Sequence, residues 1–184
     1  MSGFFFAFLA TLLASLGARD QLLVAQLCTR QGQRAGLLAV AIFSSGLTCA
    51  AAAWLATVMV AEVPTIPARM VFAGLALLLS GTEALLLGAR KPPQEPTHSL
   101  FAALLVIAAQ QITDAARFLI LALALVTVAP IPVGLGGAAG GALALAAAWS
   151  APELAARPEL PKLRRLAGLF LLAAGLVLVW RGVG

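Results

Sequence analysis

The sequence predicts an all-α integral membrane protein, with six transmembrane helices arranged as two inverted three-helix repeats. Three observations predict it. First, the chain is 62% hydrophobic and only 10% charged, where a soluble domain carries about 25% Asp, Glu, Lys and Arg. Its mean hydropathy is +1.03. Second, the apolar residues fall into six runs separated by short polar or proline-containing breaks. Third, the third and sixth runs share a pattern, which divides the chain into two halves of three runs each. A β-barrel is excluded, because the runs are continuous and Leu/Ala-rich instead of alternating over strands of about 10 residues.

The first run spans about Phe4 to Leu27, and the polar turn Cys28 to Arg34 ends it. No basic segment precedes it and no clear small-residue cleavage site follows it, so it reads as a mature first helix and not as a signal peptide. The second run spans about Gly36 to Val60. Pro64 and Pro67 close it, since proline cannot continue a helix. The third spans about Ala68 to Gly88. Residues 90–99 then carry three prolines and polar side chains, which read as a linker between a first repeat (1–89) and a second (100–184). The fourth run spans about Leu100 to Val128 and stops at Pro130. The fifth, about Val133 to Trp149, is rich in Gly and Ala, which let membrane helices approach closely. A polar loop from Ser150 to Arg165 leads to the sixth, about Leu166 to Trp180.

Basic residues set the orientation. Loops one, three and five hold Arg30, Arg34, Arg90, Lys91, Arg157, Lys162, Arg164 and Arg165, while the opposite side holds only Arg69 and Arg181. The positive-inside rule puts the odd loops in the cytoplasm and both termini outside, in the inner (plasma) membrane. The net charge of +5 therefore reflects topology and lipid contact, not nucleic acid. Lys162 to Arg165 reads first as a topology signal and second as a contact for anionic lipid. Trp54, Trp149 and Trp180 lie near run ends, as interface anchors do. The small-residue helices are compatible with a homodimer. Cys28 and Cys49 form no disulfide or metal spacing and read as packing residues. His98 in the linker reads as solvated. No nucleophile–base pair, phosphate-binding loop or His/Cys cluster is present, so no enzyme and no cofactor is expected; Gly136 to Gly141 is Gly-rich but lacks the strand context of a nucleotide fold.

Two polar interruptions inside apolar runs carry the functional reading. One is Ser15, Arg19, Asp20 and Gln21 around Gly17; the other is Gln110, Gln111, Thr113, Asp114 and Arg117. Charge at bilayer depth costs at least about 2.5–3.5 kcal/mol per group on insertion scales, so each marks a functional site. The two align: Gly17 over Thr113 places Ser15 over Gln111, Phe5 over Phe101 and Leu9 over Leu105. The third and sixth runs align through Ala73-Gly74-Leu75-x-Leu77-Leu78-x-x-Gly81 and Ala167-Gly168-Leu169-x-Leu171-Leu172-x-x-Gly175. Three helices is an odd number, so such halves insert with opposite orientation, and polar sites between inverted repeats are a transporter architecture.

In an unbroken helix, Gln110, Asp114 and Arg117 share one face. Arg19 and Asp20 diverge by about 100°, and Gly17 offers a place for the helix to relax. Two pairings are open. The halves exchange partners, Arg19 with Asp114 and Asp20 with Arg117, or Asp114 and Arg117 neutralise each other locally. The amides read equally as ligands or as interhelical glue. Glu83 reads as reaching the cytoplasmic boundary near Arg90 or Lys91; facing inward, it would be the best extra carboxylate.

At these residues the chain resembles the small six-helix divalent-cation exporters, the family of the Golgi manganese/calcium transporter and the bacterial manganese exporters. That family carries Glu-x-Gly-Asp-(Lys/Arg)-(Ser/Thr) in its first and fourth helices. Here the first copy reads Ser15-Leu16-Gly17-Ala18-Arg19-Asp20 and the second Gln111-Ile112-Thr113-Asp114-Ala115-Ala116. Gly17, Arg19 and Asp114 are kept; Ser15, Ala18, Gln111 and Ala115 depart. The resemblance implies export of Mn²⁺ or Ca²⁺ in exchange for protons, with Asp20, Asp114 and Gln111 as metal ligands and Ser15, Gln21, Gln110 and Thr113 adding neutral oxygens. Hard cations prefer several carboxylates, and two carboxylates against Arg19 and Arg117 sum to zero. Two other readings stand beside it: an exporter of another small solute such as an amino acid, whose carboxylate Arg19 or Arg117 would hold, and a membrane protein that no longer transports. Alternating access would rock one half against the other.

Overall fold

The computed structural model describes residues 2–86, 99–155, 157 and 159–184. Among these the chain is helical throughout, with no strand. Its helices are α1 (Ser2–Ser15), α2 (Arg19–Gln31), α3 (Ala35–Glu62), α4 (Ile66–Leu86), α5 (Leu100–Ile112), α6 (Ala115–Thr127), α7 (Pro130–Ser150), the single turn α8 (Pro152–Ala155) and α9 (Glu159–Val183). Four of them, α3, α4, α7 and α9, are long and apolar enough to cross a membrane. Two bent pairs, α1 with α2 and α5 with α6, bring the total to six if each pair is one span. Large apolar side chains such as Phe5, Trp54, Phe170 and Trp180 point outward, as lipid-facing residues do. This is a multi-pass membrane protein.

Two expectations change. The first and fourth runs are not single helices. Each breaks in its middle, by 59° between α1 and α2 and by 53° between α5 and α6. Gln110 therefore does not share a helical face with Asp114 and Arg117. The polar stretch before the sixth run is also not a loop to Arg165, because α9 starts at Glu159 and carries Lys162, Arg164 and Arg165 inside it. Residues 90–98 of the linker, with Arg90, Lys91 and His98, lie outside the described residues; Ser99 caps α5 by accepting from Ala102 N at 3.4 Å.

Local chemistry sets the other ends. Pro130 and Pro132 lie in the first turn of α7, where a missing N–H costs no helical bond. Trp149 is half-buried and donates its indole N–H to the carbonyl of Arg34 at 3.1 Å, so it ties α7 to the turn before α3.

Glycines set the closest approaches. A Cβ on Gly74 would lie 2.7 Å from the carbonyl oxygen of Gly175, and one on Gly81 would lie 2.7 Å from that of Gly168. Only glycine allows α4 and α9 to lie backbone to backbone. A second zip joins α1 to α7, where Gly136 and Gly140 meet the carbonyls of Phe4 and Phe8. Apolar side chains fill the remaining interior: Ala73, Ala76 and Leu77 of α4 cluster with Leu119, Ala122 and Leu125 of α6, and Leu23, Val24 and Leu27 of α2 cluster with Ile107 and Leu145.

Candidate functional site: a buried six-charge cluster

The two breaks meet in the interior. At the first, Gly17 adopts φ +70°, a left-handed conformation that favours glycine. Its N–H donates to Oε1 of Gln21 at 2.8 Å, so the side chain of the following helix holds the turn. The amide of Gln21 donates onward to the carbonyl of Ala144 in α7 at 3.0 Å. Ser15 is buried at the end of α1, and its carbonyl accepts from Ala18 N at 3.0 Å. Asp20, in the first turn of α2, accepts from its neighbour Gln21 N at 2.8 Å. At the second break, Asp114 is the N-cap of α6 and accepts from Ala116 N at 3.3 Å. Both new helices thus present their N-termini to carboxylates, the favourable end of the helix dipole.

Six ionisable side chains gather between these breaks. They are Arg19, Arg117, Arg164, Asp20, Glu83 and Asp114, and every one is at least 94% buried. Three positive and three negative charges sum to zero. Arg19 Nε lies 2.9 Å from Glu83 Oε1, and its Nη2 donates to the carbonyl and hydroxyl of Thr113, each at 3.2 Å. Arg164 Nη2 pairs with Glu83 Oε2 and reaches Asp114 Oδ1 at 3.4 Å. Arg117 lies 3.6 Å from Asp114 Oδ2 and donates to Thr48 at 3.0 Å and Ser45 at 3.1 Å. Gln111 donates to Asp20 Oδ2 at 3.0 Å, while its own oxygen accepts from Ser44 at 2.6 Å. Glu83 Oε2 also accepts from Ala115 N at 3.3 Å, so α4 helps cap α6. Buried charges persist when they are paired, and every arginine here has a carboxylate within 4 Å. Hydrogen bonding is incomplete, since Arg117 Nη1 and Arg164 Nε and Nη1 have no hydrogen-bond partner among the described residues.

The sequence-predicted residues Asp20, Asp114, Gln111, Arg19, Arg117, Thr113, Gln21 and Ser15 all lie at the breaks or in this network. Gln110 does not join it: it is half-buried, and its amide oxygen has no hydrogen-bond partner among the described residues. The exchange of partners between halves does not occur. Arg19 pairs with Glu83, and Asp114 pairs with Arg117, its own neighbour three residues on.

Two members of the cluster depart from their expected places. Glu83 faces inward, on the side of α4 that also buries Ser80 and Ala76; Arg90 and Lys91, its expected partners, lie outside the described residues. Arg164 is not a loop residue. In α9 it precedes Gly168 and Gly175 by four and eleven residues, which puts it on the buried glycine face. The signal for it is the helical frame of the sixth run, extended four residues backward from Gly168.

Small cavities flank the cluster. One of about 190 Å³ has Arg117 and Thr48 among its lining residues, with Ala52, Leu55 and Phe118. Another of about 300 Å³ is lined by Leu16, Gln21, Leu160 and the exposed Arg157. Among the described residues, no three His, Cys, Asp or Glu side chains gather so as to hold a metal ion. No protein-family model matches the chain, and neither a curated protein nor a solved structure matches it.

Proposed function

We propose that the chain is a secondary transporter of the inner membrane, working by alternating access at the six-charge cluster, with both termini outside the cytoplasm. One observation carries this reading. Two spans break at aligned positions, Gly17 and Thr113, and both breaks feed charged side chains into one buried network. Irregular backbone at membrane depth is tolerated where it lines a site, and broken helices are how transporters build one. The inverted repeat has its own support. Gly74 and Gly81 are the sequence counterparts of Gly168 and Gly175, and they pair crosswise, Gly74 with Gly175 and Gly81 with Gly168. A local twofold axis between antiparallel helices produces this reciprocity.

The cargo is a divalent cation, Mn²⁺ or Ca²⁺, exported in exchange for protons. The family resemblance supports this; Asp20, Glu83 and Asp114 lie in one buried network but do not gather as a metal-holding cluster. A second reading has its own observation. Each carboxylate is matched by a guanidinium, so the site suits a zwitterion such as an amino acid, whose carboxylate and ammonium leave the sum at zero.

Purified protein in proteoliposomes separates the two. Mn²⁺ or Ca²⁺ flux that dissipates an imposed proton gradient, and is lost in Asp114→Asn, is the expected result. Amino-acid flux without cation flux selects the second reading. No flux of either kind sinks the transport proposal.

A further inference from the structure

The sequence alone pictures one three-helix half rocking against the other. The packing argues for a different moving unit. Two helix pairs join the halves at backbone contact, α1 with α7 and α4 with α9. A half-against-half motion would open both zips. A Cβ on Gly74, Gly81, Gly175 or Gly182 would fall within 2.6–2.8 Å of a carbonyl oxygen across the α4–α9 contact. Close-packed surfaces of this kind move together.

The connection of α4 and α9 to the rest is of another kind. Among the described residues, four polar links cross that seam: Ser80 Oγ donating to the carbonyl of Ala115 at 2.8 Å, Ala115 N donating to Glu83, Arg19 with Glu83 at 2.9 Å, and Arg164 with Asp114 at 3.4 Å. Water or a bound ion can replace each of these, whereas nothing replaces a backbone contact between glycines. The apolar part of the seam sets Ala73, Ala76 and Leu77 against Leu119, Ala122 and Leu125. At its far end lies a cavity of about 160 Å³, lined by Ile66, Arg69, Met70, Leu125, Val126 and Val128. The seam is tied at the Glu83 end and loosely filled at the Met70 end. Leu160, near the start of α9, also rests on Gly17 and so covers the first break.

We propose that α4 and α9 move as one unit against the other helices, and that the six-charge cluster is the seam along which they part. This rests on the transport reading for its purpose and on the packing for its geometry. Glu83 and Arg164 are then positioning residues. They hold the moving pair against Asp114 and Arg19.

Disulfide trapping tests it on the full chain in proteoliposomes, with Cys28 and Cys49 replaced by Ala. The pair Leu77→Cys and Ala174→Cys bridges α4 to α9 within one apolar cluster and leaves the glycines in place. The pair Ser80→Cys and Ala115→Cys bridges α4 to α6. A single reporter cysteine, Leu16→Cys in one flanking cavity or Ala52→Cys in the other, is labelled with N-ethylmaleimide before and after oxidation. The α4–α9 disulfide is expected to leave both labelling rates within about twofold, and the α4–α6 disulfide to slow at least one by about tenfold, because labelling follows the population of the open form. If the α4–α9 disulfide slows labelling as much as the other, or the α4–α6 disulfide changes neither rate, the inference is overturned. Absent cation and amino-acid flux beside an intact labelling contrast would sink the transport reading and leave this one standing.

Discussion

The two helix breaks solve one problem by different means. Between α1 and α2, the chain turns on Gly17 at φ +70°, and the freed N–H is taken up four residues later by Gln21. Between α5 and α6, Thr113 keeps an ordinary φ of −104°, and the freed N–H groups are met by Asp114 and by Glu83 from another helix. The first break is built from its own sequence. The second borrows its completion from α4 and α9. A self-contained break needs only backbone conformation and a local amide, whereas a borrowed one depends on partners that can leave. The site therefore has a fixed side at Gly17 and a side at Asp114 that is held by charge.

The sharpest way to break this comparison is to remove the lender. Glu83→Gln takes away the ion-pair partner of Arg19 and the nearer of the two carboxylates on Arg164, and weakens the cap on α6. Breaking a buried pair by deleting one partner costs about 3–5 kcal/mol, because an uncompensated charge stays behind. Thermal unfolding in detergent should show a larger loss than any substitution at Gly17 or Thr113 produces. A loss under about 1 kcal/mol would mean that the arginines find other partners, and that α6 does not depend on α4.

The uneven legibility of the site has the same origin. Arg19, Asp20, Gln111, Asp114 and Arg117 stand out because they interrupt apolar runs, where a polar or charged group is costly. Glu83 and Arg164 lie near helix ends, where a charge is ordinary, so by sequence one reads as a boundary residue and the other as a topology signal. Their burial depends on how α4 and α9 pack, and sequence spacing does not contain that. The six apolar runs are legible for the opposite reason: each is a long stretch of apolar composition. The breaks inside two of them are not, since Gly17 only permits a turn, and a capping Asp114 looks like any intramembrane acid until the helix is seen to restart after it.

A change at the fixed side comes second in size. Gly17→Ala places a Cβ at positive φ, which costs about 1–2 kcal/mol in an L-residue. That Cβ would also lie 3.2 Å from Cβ of Leu160, so α9 must shift by a few tenths of an ångström. The loss should appear in thermal unfolding, and labelling of a cysteine at Leu16 should rise as Leu160 lifts away. Unchanged stability would mean that the left-handed turn is dispensable, and that Gln21 alone holds the break.

The smallest effect should come from Thr113, the position aligned with Gly17. Its φ is negative and its side chain is exposed, so no conformation there demands a special residue. Its hydroxyl accepts one of two hydrogen bonds from the same Arg19 nitrogen, and the other goes to its own carbonyl, which any residue supplies. Thr113→Ala therefore removes one redundant acceptor. It should cost no more than about 0.5–1.5 kcal/mol, the net worth of a single hydrogen bond. A larger loss, measured beside Gly17→Ala under the same conditions, would show that the hydroxyl itself fixes Arg19. The second break would then be held by its own sequence as firmly as the first, and the contrast between a fixed and a charge-held side would fail at the residue where it is easiest to test.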